Sequence, residues 1–194
     1  MTNKSAAQVL NNAIASGIDT LRGLERFEHE MATASGIIVR CLARGNKLLV
    51  CGNGGSAADA ADFCAEFACR FEQDRRPYPA LNLAAGGSIL TASANDYGFE
   101  EVFARQIEAF GVSGDVVIAI STSGNSANIQ RALERGKSRG LTALALLGRD
   151  GGRCSGIADL DFIVAARSTA RIQEAHKFLL HVLCEICEAE LARR

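Results

Sequence analysis

Apolar and polar positions fall into two regimes along the chain. Through the first 45 residues, spaced apolar side chains predict two helices, over 6–22 and 24–44, punctuated by Gly17, Gly23 and Gly45. No strand-like run interrupts them. From residue 47 onward short apolar runs take over: KLLVC (47–51), ALNLA (80–84), DVVIAI (115–120), TALALL (142–147) and DFIVAA (161–166). Helical stretches over 56–71, 100–110 and 126–139 fall between most of them, and a last helix covers about 169–192. Apolar strands alternating with helices predict an α/β fold: a five-stranded parallel sheet between two helical layers, the three-layer αβα arrangement. The chain therefore reads as one domain, 1–194, with a helical N-terminal extension (1–45) and an αβα core (46–194). Helices that precede every strand have no sheet to cover yet, so the extension is expected to serve an oligomer interface.

Composition narrows the function classes. The 194 residues carry a formal net charge of -1, and no basic run is interleaved with aromatics. That argues against a nucleic-acid partner and against an anionic membrane surface. No apolar segment approaches a membrane span, and the N-terminal MTNKSAAQVLNNAIASG lacks the apolar core of a signal peptide. The expected compartment is the cytoplasm. Seven cysteines, odd in number and irregular in spacing, argue against a disulfide framework. Cys184 and Cys187 form a C-x-x-C, but within a helical pattern, so all seven are expected to be buried small apolar residues.

In an open parallel sheet, ligands sit beyond the carboxyl ends of the strands. After the first strand comes GNGGSA, a formal match to the dinucleotide fingerprint. The fingerprint also needs an acid about twenty residues on, at the end of the second strand. ALNLAAGGS has none, so no nucleotide cofactor is expected. The favoured reading is a loop whose backbone N–H groups, with Asn53 and Ser56, face an oxygen-rich ligand at a helix start. The plainer one is a strand-to-helix turn capped by Ser56. After the third strand, ISTSGNSAN places Ser121, Thr122 and Ser123 before Gly124, and Ser126 at the next helix start. One hydroxyl suffices for a cap; four suit a phosphate, which takes many donors and gains from the helix dipole. Asn95 and Asp96 lie in NDYG, by itself an ordinary turn-rich segment.

Two helices hold titratable residues. Asp62 and Glu66 are four apart and share a face. On the last helix stand Gln173, His176 and His181. Gln173 and His181 are separated by roughly 12 Å of rise and about 80° of rotation, whereas Gln173 and His176 make the easier pair. Geometry alone leaves the two histidines open.

Together the blocks CGNGGSAADA, NDYGFEEVFARQ, GDVVIAISTSGNS, LLGRDGG and ARIQEAHKFLLHVLCE resemble the phosphoheptose (sedoheptulose 7-phosphate) isomerases of the SIS, or sugar isomerase, fold. They stand in that family's order from about residue 47 to 188. The resemblance implies an aldose–ketose isomerase that converts sedoheptulose 7-phosphate to D-glycero-D-manno-heptose 7-phosphate, the first step toward the heptose of bacterial lipopolysaccharide. It implies that Ser121, Thr122, Ser123 and Ser126 hold the phosphate, and that Asn53, Gly54, Gly55, Ser56, Asn95, Asp96 and Gln173 line the sugar site. It makes Glu66 and His181 the acid–base pair, and it implies a homotetramer with sites shared between subunits and one zinc ion per subunit.

One position departs from the family. Where its helix reads D-A-Q-H-F, this chain reads D-A-A-D-F, so Asp62 stands at the usual histidine ligand position. Aspartate also binds zinc, and Asp62, Glu66, Gln173 and His181 are the expected metal set. A second carboxylate hardens it toward manganese, iron or magnesium. The substitution also leaves open a stereochemical variant of the heptose phosphate. A second class of reading is a non-catalytic SIS protein that binds a sugar phosphate or a replication-initiator protein. A binding module need not keep Glu66 and His181, and both are present, which favours the enzyme.

Overall fold

The computed structural model describes residues 5–193. Helix α1 (Ala6–Arg22) opens on a capping box in which Ser5 and Gln8 exchange side-chain and backbone hydrogen bonds. Helix α2 (Glu28–Ala43) comes after a 3-10 turn at Glu25–Phe27. The expected 24–44 helix thus starts later and enters through that turn.

Strands β1 (Leu48–Gly52), β2 (Ala80–Asn82), β3 (Val116–Ser121), β4 (Thr142–Gly148) and β5 (Leu160–Val164) form one parallel sheet in the order β2-β1-β3-β4-β5. Alternate residues point to opposite faces. Leu48, Val50, Val116, Ile118, Ile120, Leu144 and Leu146 pack with α2, with α3 (Gly55–Ala68) and with α7 (Thr169–Leu191). Leu49, Cys51, Val117, Ala119, Ala143, Ala145 and Leu147 pack under α5 (Ala104–Phe110) and α6 (Ala127–Ser138). Burial on both faces explains why these strands lack polar alternation.

Two expectations change. The NDYG segment is not an isolated turn: α4 (Gly87–Tyr97) runs through Asn95, Asp96 and Tyr97 and ends at Gly98, whose φ is +92°. The small polar residues of α4 hide the period, because Leu90 and Ala94 are its only apolar side chains on the core and most of the others face outward. The expected 100–110 helix is a 3-10 turn (Phe99–Glu101) and then the shorter α5.

The 56–71 helix stops at Ala68, and α7 holds the segment beyond it. The Glu188 carboxylate accepts the backbone N–H groups of Phe71, Glu72 and Gln73 at 3.1, 3.0 and 3.0 Å and pairs with Arg75 at 3.1 Å. Burial alone would raise the pKa of Glu188, but those donors win and hold it below the usual carboxylate range.

Six of the cysteines are buried and free, as expected; Cys69, at the end of α3, is exposed. Burial pushes the thiols of Cys41 and Cys64 up to about 12, so they are inert at neutral pH. Among the described residues no helix is long and apolar enough to cross a membrane.

Candidate active site

Strand order reverses between β1 and β3: the crossover through α3 leads to β2 on one side, and that through α6 leads to β4 on the other. The crevice at this switch point opens between the loops after β1 and β3, the two that the sequence singled out.

The loop after β3 is a hydroxyl cradle. Ser121 Oγ lies 3.5 Å from Ser123 Oγ and 3.4 Å from Ser126 Oγ, and it accepts the Gly124 N–H at 3.1 Å. Ser126 is the N-cap residue of α6, yet its side chain makes no capping bond, which leaves the hydroxyl for a ligand. An oxyanion here would meet clustered hydroxyls and the positive end of a twelve-residue helix. Thr122 is half-buried on the same loop.

The LLGRDGG block braces this cradle. Gly124 has φ +65°, and a Cβ there would stand 2.1 Å from the Gly151 carbonyl oxygen. A Cβ on Gly148 would stand 2.2 Å from the Thr122 carbonyl oxygen. Backbone thus lies directly on backbone, and Cys154 N–H donates to Gly124 O at 2.9 Å.

The loop after β1 differs from expectation in two side chains. Asn53 does not offer a free amide to the crevice: it exchanges hydrogen bonds in both directions with the buried Asn128 of α6, at 2.9 and 2.8 Å. The pair ties the two loops together. Asn128 was not singled out by the sequence reading, although its place in the first turn behind STSGNS was the available signal. Ser56 is not the cap either, since Gly54 (φ +55°) takes the N-cap position and Ser56 is buried in the first turn of α3. A Cβ on Gly55 would stand 2.4 Å from Gln173 Oε1, so the α7 amide lies over this loop.

Glu66 and His181 both lie, half-buried, along the seam where α3 packs on α7. The charge of Glu66 is felt at Cys184, one turn beyond His181, and the His181 ring sits 6.0 Å from that of Phe71. His176 is fully buried instead; burial holds its pKa down to about 4, so the ring is neutral.

The seam also contains two groups that the sequence reading missed. Asp59 is three residues before Asp62 and seven before Glu66, on the same face of α3. Lys177 stands midway between Gln173 and His181 on α7. Its ammonium lies 3.7 Å from Asp59 and pairs directly with Asp62. The pKa of Asp59 is raised on balance: burial, with the Asp62 charge beside it, outweighs the pull of Lys177 and His181. The spacing Gln173–Lys177–His181, one residue per turn, was a legible signal for Lys177.

This arrangement does not fit the expected metal set. The Asp62 carboxylate is engaged by an ammonium, and Gln173 leans over Gly55. Among the described residues, no three His, Cys, Asp or Glu side chains gather into a group able to hold a metal ion. Asn95 and Asp96 are exposed on α4, bonded to each other at 2.8 Å. Nothing in the single chain brings them to the cradle.

The SIS domain family model matches residues 14–148. The chain is 48% identical to the phosphoheptose isomerase of Geobacter sulfurreducens, over 92% of this chain and 95% of that protein. It is 51% identical to that of Citrifermentans bemidjiense, over 82% and 83%. The solved phosphoheptose isomerase of Neisseria gonorrhoeae superposes with TM-score 0.90 at 37% identity, covering 95% of this chain and all of that one. That of Francisella tularensis gives 0.92 at 33%, covering 96% of this chain and all of its own. Fold and cradle define an SIS-domain protein; within that class, the chain belongs to the phosphoheptose isomerase family.

Proposed function

We propose that this enzyme interconverts sedoheptulose 7-phosphate and D-glycero-D-manno-heptose 7-phosphate, or a stereoisomer of it, through an enediol. The observation that carries the reading is the cluster of three serine hydroxyls, Ser121, Ser123 and Ser126, at the start of α6. With the phosphate on Ser121, Thr122, Ser123 and Ser126, the sugar extends from that anchor toward the seam.

Glu66 then removes the C1 proton of the ketose, and the electron pair forms the C1=C2 bond of the enediol as the C2 oxygen gains a proton. His181 carries protons at the two oxygens. Return of a proton to C2, with loss of the O1 proton, leaves the aldehyde. Two groups able to take and give protons near neutral pH suffice for this traffic.

The active form is a homotetramer. Helix α1 has no buried residue and presents Val9, Leu10, Ile14 and Ile18 to the outside, an apolar face for other copies of the chain to cover. Shared sites would also give Asn95 and Asp96 a route to the sugar.

Incubation with sedoheptulose 7-phosphate in D2O tests the reading. The expected product is an aldose 7-phosphate with deuterium at C2, seen by NMR. Neither conversion nor exchange, with or without added divalent metal, would refute it.

A further inference from the structure

We infer that Lys177 is the resident cation of the α3–α7 seam and that turnover in this chain needs no divalent metal. This rests on the isomerase reading above. Two carboxylates, Asp59 and Asp62, stand on one face of α3, with side-chain exposures of 8% and 60%. Like charges so placed repel unless a cation lies between them. Here the cation comes from the chain itself: the ammonium of Lys177 reaches both.

The position of Lys177 matters as much as its charge. It lines a cleft of about 410 Å³ together with Asp59, Ala170, Gln173 and Glu174. It stands one helical turn from Gln173, which lies over the GNGGS loop, and one turn from His181. An ion entering to use Asp62 would have to displace an ammonium that is tethered to the same protein and so present at high effective concentration. Two positive centres would then compete for one pair of carboxylates. Lys177, a compact point charge on a flexible stem, supplies in this cleft the positive field that a metal would otherwise bring to developing enediolate oxygens.

Calorimetric titration of chelator-treated protein with zinc, beside turnover with and without chelator, tests this in the wild type, Lys177→Met and Lys177→Arg. The wild type should bind no stoichiometric zinc and turn over equally with chelator present. Lys177→Met frees both carboxylates. It should gain zinc affinity on the order of 10- to 100-fold, the range over which groups around a metal site tune it, and lose roughly tenfold or more in turnover without metal. Lys177→Arg keeps the charge and should remain indifferent to chelator. Stoichiometric zinc on the wild type, with turnover abolished by chelator, overturns the inference. So does a Lys177→Met variant unchanged in both readouts. Should no variant act on a heptulose phosphate under any condition, the isomerase reading falls, while the zinc titration still decides what holds the seam.

Discussion

The cradle after β3 and the seam between α3 and α7 are built in opposite ways. The cradle is local: Ser121, Ser123 and Ser126 lie within six residues on one strand-loop-helix unit, and backbone contacts at Gly124 and Gly148 fix its shape. Its donors are in place before any ligand arrives. The seam is assembled from helices far apart in sequence, with Lys177 and Asp62 separated by 115 residues. Its charge is a balance between side chains, all but Asp59 at least partly open to solvent. A phosphate anchor gains from rigidity, whereas proton carriers need neighbours that tune them. Substitutions in the cradle should therefore act on binding, and substitutions in the seam on turnover.

The largest expected effect breaks or upholds that division directly. Glu66→Gln keeps shape and removes the base, so kcat should fall by about 100-fold or more, with little change in KM. His181→Ala should do the same, and steady-state kinetics check both. A KM-only effect at Glu66 would erase the distinction between the two regions.

Next in size, Ser123→Ala removes one charge-assisted hydrogen bond, worth about 1.5–3 kcal/mol. KM for the phosphorylated sugar should rise about tenfold or more while kcat holds. An unchanged KM would place the phosphate elsewhere.

Asn128→Ala probes the tie between the two loops. It strands the Asn53 amide, at a cost of about 1–3 kcal/mol. Thermal melting should show the loss, and KM should rise as the cradle loosens.

The smallest effect is one of pH. His176 has a folded pKa near 4, below its ordinary 6.5. Its contribution is complete above 6.5 and is lost as pH falls from there toward 4, because the unfolded chain binds the proton first. The loss should be about 1 kcal/mol near pH 5.5. Glu188 and Asp115, both held below the usual carboxylate range, extend the loss at lower pH as their protonation breaks their bonds. For Asp115, burial opposes the shift, but Lys47 and three other hydrogen bonds overcome it. Melting of His176→Leu against wild type across this range should flatten only the upper portion, without a comparable fall in kcat.

Much of this molecule was legible in the chain. Five apolar runs foretold five parallel strands; in β1, β3 and β4 burial on both faces leaves no polar alternation to confuse the signal, while the edge strands β2 and β5 are only partly buried. The cradle was legible for a similar reason: of four hydroxyls in one loop, Ser121, Ser123 and Ser126 gather where they stand. Helix α4 was not, since an exposed helix of small residues has too weak a period to register.

What the sequence alone determined is therefore local: the strands, the hydroxyl loop, and a shared face on α3 for Asp62 and Glu66. Helical spacing says which residues share a face, but not what that face meets. Only the tertiary structure turned Asn53 onto Asn128, buried His176 while leaving His181 at the seam, and brought Lys177 to Asp62. Each of these depends on the packing of elements distant in sequence, where a side chain's partner is set by the geometry of the whole fold rather than by its neighbours along the chain.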